Sequence, residues 1–101
     1  MKLDDQGQAD VATAEVAFRE ARERLQRYQQ QILPRSAQVR ESIAFAYSRG
    51  GASLVDLLTA ERDDNNVRLS TAQARADAAS TASDLKAAQN IVSEEELNAL
   101  R

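Results

Sequence analysis

The feature that most constrains the fold is a single glycine doublet, Gly50-Gly51, between two long stretches rich in helix-forming residues. Glycine adopts the left-handed backbone conformation that ends helices without a steric penalty. Ser53 and Asp56 follow with the spacing of a capping box, in which each side chain bonds the backbone N–H of the other residue. A helix end, two glycines and a helix start together predict a tight turn at residues 49–53 between two antiparallel helices.

The first helix is predicted to span residues 4–48. Its apolar side chains recur in alternating steps of three and four, and charged residues occupy the other faces. This spacing is typical of a helix that lies along another helix. The stripe consists of Val11, Ala14, Phe18, Ala21, Leu25, Tyr28 and Ile32.

Pro34 is predicted to kink this helix. Proline has no backbone donor, and its ring clashes with the carbonyl four residues earlier. The apolar stripe resumes in the same phase at Val39 and then at Ile43 or Ala46. This continuity favours a kink near Pro34 in one continuous helix over two separate helices.

The second helix is predicted to span residues 54–88 and carries two stripes of small or apolar side chains. One seam is enough for a hairpin, so two stripes indicate neighbours on both sides. A single broad alanine-rich face is the alternative, and the pattern does not distinguish the two. The first stripe is Val55, Leu58, Asn65, Leu69, Ala72, Ala76 and Ala79, interrupted by Arg62; the second is Leu57, Ala60, Val67, Thr71, Ala74, Ala78, Thr81, Leu85 and Ala88.

The stripes stop after residue 88, and Ser93 with Glu96 forms a second capping-box pattern. A separate short helix is therefore predicted at residues 94–100. The fold class that follows is all-α: residues 1–101 form a single long antiparallel coiled-coil α-hairpin with a kink near Pro34 and a short C-terminal helix.

Composition argues against catalysis. The chain has no histidine and no cysteine, so imidazole bases, thiol nucleophiles and the usual zinc ligands are absent. Lys and Arg number 13 against 16 Asp and Glu, which lacks the basic footprint of a nucleic-acid binder. The acidic runs at residues 4–5, 63–64 and 94–96 are predicted to lie on solvated faces and at helix starts. We therefore expect no enzyme activity, no catalytic residue, no metal site, no cofactor and no nucleic-acid partner.

The segment Tyr47–Arg62 resembles the second repeat of TolC-type outer-membrane efflux proteins. It contains an aromatic residue, glycine, a serine, an apolar-apolar-Asp-Leu-Leu run and an acid before arginine. The upstream Ile-Leu-Pro at residues 32–34 and the alanine-rich helix after the turn also match. The resemblance covers residues 11–88 and is closest to the heavy-metal (cobalt–zinc–cadmium) branch.

This resemblance implies one periplasmic hairpin of a homotrimeric channel in the outer membrane. Such channels export metal ions or small toxic compounds that an inner-membrane pump delivers through a periplasmic adaptor. It also implies that Asp56 faces the tunnel constriction, although Thr59 stands where some members carry a second acid. The adaptor-docking tip would comprise Arg49, Gly50, Gly51, Ala52, Ser53 and Leu54.

The residues leave two alternatives open. The hairpin could belong to a periplasmic adaptor, or it could be a purely structural coiled-coil module. The apolar run at residues 54–58 could equally close the hairpin end or dock another protein. No window is apolar and long enough for a membrane span, so the isolated chain is expected to be soluble and to self-associate as a helical bundle.

Overall fold

The computed structural model describes residues 2–100, with side chains from residue 7 onward. Helix α1 is Lys2–Arg27, a π-helical turn follows at Tyr28–Ile32, α2 is Leu33–Ser48 and α3 is Leu54–Ala99. No strand occurs within this described range. The predicted all-α class is confirmed.

The chain divides into two compact units. One is Arg24–Arg75, which contains the reversal of direction and is an α-hairpin, as predicted. The other combines the segment up to Glu23 with the segment from Ala76. In that unit the helices lie so close at Gly7 that a Cβ atom there would be 3.1 Å from Val92 Cγ2.

The turn begins with a Schellman motif at the end of α2. The Gly51 N–H donates to the Ala46 carbonyl at 2.7 Å, and the Gly50 N–H donates to the Tyr47 carbonyl at 3.1 Å. Gly50 has a φ of +78°, the left-handed conformation that this motif requires. The two glycines therefore end α2 in the way that the sequence predicts.

Replacing Gly50 with alanine is expected to destabilise the fold by about 1 kcal/mol, because an L-residue is strained in the left-handed region. An added Cβ meets nothing within 4 Å, so the effect isolates backbone strain. Gly51→Ala is the matched control, since its Cβ would make ordinary contacts with Ala46 at 3.5 and 3.8 Å. Thermal unfolding followed by circular dichroism measures both, and an equal loss in the two variants would contradict the assignment.

The predicted kink near Pro34 takes the form of the π-helical turn directly before it. At the end of this turn the Leu33 N–H donates to the Tyr28 carbonyl, five residues back. A wider turn moves the carbonyls that precede proline away from its ring. Proline has no backbone N–H, so it could not donate a hydrogen bond to any of these carbonyls. The helical path continues on both sides, so the irregularity is local.

The predicted continuation of the apolar stripe across Pro34 is wrong for Ile32 and Val39 and correct for Ile43 and Ala46, which are half-buried. Ile32 and Val39 are exposed, Val39 by 52%, whereas Leu33 and Arg40 are half-buried. The π turn inserts one extra residue and so moves the buried face of α2 by one position. Polar residues thereby enter the seam, by which we mean the face that packs on the other helix.

The separate C-terminal helix at residues 94–100 is also a wrong prediction, because α3 runs without a break from Leu54 to Ala99. Residues 89–93 contain neither glycine nor proline, so nothing in the backbone ends the helix there. Ser93 lies inside α3 instead of capping a new helix.

Candidate docking tip and buried polar cluster

The two stripes on α3 have different environments. Every member of the second stripe is buried or half-buried, and Ala60, Thr71 and Ala74 are buried. Every member of the first stripe is exposed. The second stripe is therefore the seam, and the first, which we call the exposed stripe, is left uncovered.

Asp64 lies in the seam at the centre of a polar cluster within the Arg24–Arg75 unit. Ser36 Oγ of α2 donates to Asp64 Oδ1 at 3.0 Å, and Arg68 Nε of α3 donates to Asp64 Oδ2 at 3.0 Å. Arg40 Nε of α2 lies 3.1 Å from the same Oδ2. Its N–H does not point at that oxygen, so this contact is an ion pair without a hydrogen bond. We call these four residues the Asp64 cluster.

The prediction that residues 63–64 form a solvated acidic pair is correct for Asp63 and wrong for Asp64, which is 2% exposed. The signal that locates Asp64 is the heptad spacing of the second stripe. A step of four from Ala60 lands on Asp64, and a step of three then reaches Val67. An acid at a seam position requires partners from the facing helix, and Ser36 and Arg40 supply them.

Opposing effects act on the Asp64 carboxyl. Burial raises its pKa, whereas the hydrogen bonds from Ser36 and Arg68 and the charges of Arg68 and Arg40 lower it. The net result is a pKa below the usual value for aspartate. The cluster therefore contains a charged carboxylate held between cations and a hydroxyl.

The lowered pKa predicts how stability depends on pH. The folded state binds the Asp64 proton less tightly than the unfolded state, whose pKa is about 3.9. The contribution of this carboxylate is thus fully present above about pH 4 and is lost as pH falls through the folded pKa. We expect the Tm to fall below about pH 4, and to fall less steeply in Asp64→Asn. Identical pH profiles for the two chains would contradict the role of Asp64.

The predicted capping box starts α3. The Asp56 N–H donates to Ser53 Oγ at 3.0 Å, and the Ser53 N–H donates to Asp56 Oδ2 at 3.0 Å. The hydrogen bond from the Ser53 backbone N–H lowers the pKa of the Asp56 carboxyl most, and the interaction with the Ser53 side chain lowers it further. Desolvation raises this pKa by less, so the net pKa lies below its usual value. Asp56 is exposed, and one of its carboxylate oxygens is engaged in fixing the turn.

The six predicted tip residues form one continuous turn. All are exposed except Ala52, which is half-buried: Arg49, Gly50, Gly51, Ala52, Ser53 and Leu54. The Arg49 guanidinium lies 4.6 Å from the centre of the Phe45 ring, a cation–π contact that holds it at the end of α2.

Five large apolar side chains surround this turn and are exposed by 41–70%. Two lie near the end of α2 and three lie on the first turns of α3. We call this set the tip patch: Phe45, Tyr47, Leu54, Val55 and Leu58. The sequence indicated the α3 members, whereas Phe45 and Tyr47 become part of the set because α2 presents them outward.

Other kinds of site are not found among the described residues. No group of three or more acidic side chains there could hold a metal ion. No helix in that part of the chain is both long and apolar enough to cross a membrane. The chain matches no protein-family model, no curated protein and no solved structure. The candidate site therefore rests on the tip patch and the Asp64 cluster.

Proposed function

We propose that this chain is a helical hairpin that acts through protein contacts at its turn. In its parent protein it would be a periplasmic tunnel hairpin of a trimeric TolC-type outer-membrane efflux channel. The observation that carries the proposal is the tip patch, in which large apolar side chains are exposed next to a turn with fixed ends. A concentration of exposed apolar surface of this kind is typical of a protein-docking site.

The construction of the turn supports docking in particular. The Schellman motif fixes its first end and the capping box fixes its second. A preformed surface loses little conformational freedom when a partner binds, so more of the contact energy appears as affinity. The partner that the resemblance implies is the α-hairpin of a periplasmic adaptor, which would have to present apolar side chains to the tip patch and hydrogen-bond acceptors to Arg49.

The exposed stripe of α3 supports the placement in a ring of helices. Leucines and alanines recur along it at seam spacing, yet no other part of the described chain covers them. Neighbouring hairpins of a homotrimer would cover this face in the parent protein, and a second copy would cover it in the isolated chain. Export of metal ions or small toxic compounds would be driven by the inner-membrane pump, and the hairpin would contribute only a passive path.

A binding titration tests the proposal. The purified chain is titrated with the α-hairpin of a periplasmic adaptor from a heavy-metal efflux pump, and separately with the tip hairpin of a TolC-type channel. Saturable binding to the adaptor hairpin is the expected result. Binding to the channel hairpin alone would identify this chain as an adaptor-type hairpin, and binding to neither would contradict docking through the tip.

A further inference from the structure

The π turn leaves α2 with two possible buried faces. A regular α-helix through residues 28–32 would turn Ile32 and Val39 toward α3, in phase with Leu25 and Tyr28. The observed π turn places Leu33 and Arg40 there instead, while Val39 remains 52% exposed. The two arrangements differ by one residue position along α2.

At positions 39 and 40 the observed arrangement half-buries an arginine and exposes a valine, which burial of apolar surface does not favour there. The compensation comes from Asp64. Its carboxylate is 2% exposed and accepts a hydrogen bond from Ser36 while it pairs with Arg40. The compensation is incomplete, since Arg40 Nε is buried without a hydrogen-bond partner.

We propose that Asp64 is a register lock: its contacts with Arg40 and Ser36 hold α2 in the π-turn register against an alternative register in which Val39 is buried. Pro34 acts in the same direction, since a proline is better accommodated after a wider turn. Without the carboxylate, Arg40 would be a half-buried charge with a buried, unpaired Nε, and rotation of α2 would return it to solvent.

The lock is positioned to control the tip patch. A change of one residue in register rotates α2 by roughly 100° about its axis. Phe45 and Tyr47 lie on α2, so the same rotation would redirect both aromatic side chains. The glycine doublet can absorb such a rotation because glycine accepts a wide range of backbone angles. The register lock is argued from the contacts of Asp64 and does not require docking at the turn. A negative result for the lock would therefore leave the docking proposal unaffected.

Thiol labelling tests the lock directly, because the chain has no cysteine of its own. Val39→Cys reports the register through its rate of reaction with a maleimide. In the otherwise unchanged chain we expect fast labelling. In the Asp64→Leu background we expect labelling to slow at least tenfold as position 39 turns into the seam. A Leu33→Cys reporter should change in the opposite direction.

Two controls make the outcome decisive. Asp63→Leu removes an exposed neighbouring acid and should leave the Val39→Cys rate unchanged. The double variant Asp64→Leu/Arg40→Leu removes the unpaired charge and should restore fast labelling. An unchanged rate in folded Asp64→Leu would overturn the lock. If Asp64→Leu loses its helical circular-dichroism signal, the double variant decides. A double variant that folds and labels fast would support the lock, and one that does not would overturn it.

Discussion

Leu54→Asp is expected to weaken binding of the adaptor hairpin by about 30-fold, the factor that corresponds to a loss of about 2 kcal/mol at an interface hot spot. Leu54 is 53% exposed and belongs to the tip patch. A carboxylate at this position would have to be desolvated on docking. The same substitution should preserve the helix, since an acid in the first turn interacts favourably with the helix dipole.

Leu69→Asp is the matched control for this prediction. Leu69 is 62% exposed on the same helix but lies well away from the turn. The substitution carries the same change in charge and apolar surface, so affinity should stay within about twofold if the tip patch is the docking site. Calorimetric titration of both variants gives the comparison, and equal losses would show that binding uses the length of α3 and not its tip.

Ala74→Leu is expected to destabilise the folded chain by about 1–3 kcal/mol, the usual effect of inserting methylene groups into a packed interface. Ala74 is 2% exposed in the seam of α3. Alanine there allows the facing helix to approach closely, and a leucine would force the helices apart or into poor rotamers. For a chain of this size the Tm should fall by several degrees.

Ala72→Leu serves as the control because Ala72 belongs to the exposed stripe of the same helix. Its stability should change by less than about 0.5 kcal/mol, as is usual for surface positions. Thermal and urea unfolding at low protein concentration measure both variants without contributions from self-association. A loss at position 72 equal to that at position 74 would mean that the seam and the exposed stripe are assigned to the wrong faces.

The sequence was sufficient where local chemistry determines the backbone. Gly50 requires a positive φ, and Ser53 with Asp56 forms a reciprocal cap, so the turn could be predicted residue by residue. In both cases the deciding interactions are separated by only a few residues. Heptad spacing also predicts the second stripe on α3, but it predicts the first stripe equally and does not say which of them is the seam.

The sequence was insufficient where packing between helices decides. A proline predicts an irregularity, but whether it becomes a kink or a π turn depends on what the facing helix offers. Here Asp64 on α3 favours the register that brings Arg40 inward. Which residues of α2 face α3 after Pro34 and whether Asp64 is buried therefore depend on each other. Neither can be predicted from the sequence of α2 or of α3 alone.

The prediction of a separate helix at residues 94–100 fails for a related reason. Ser93 and Glu96 have capping-box spacing, yet the same residues are compatible with a helix interior. A cap forms only where the backbone already leaves N–H groups free, and no glycine or proline at residues 89–93 creates that condition.

The hairpin depends on the reversal of direction at Gly50-Gly51, and a spin-label distance between positions 27 and 73 tests that reversal. Arg27 precedes Ser36 by as many residues as Gln73 follows Asp64, so antiparallel pairing through the Asp64 cluster places the two labels across the seam. With helix axes about 8–10 Å apart, the labels should be separated by roughly 20–30 Å. A helix running straight through the glycines would separate them by roughly 70 Å at about 1.5 Å per residue, and that result would contradict the hairpin.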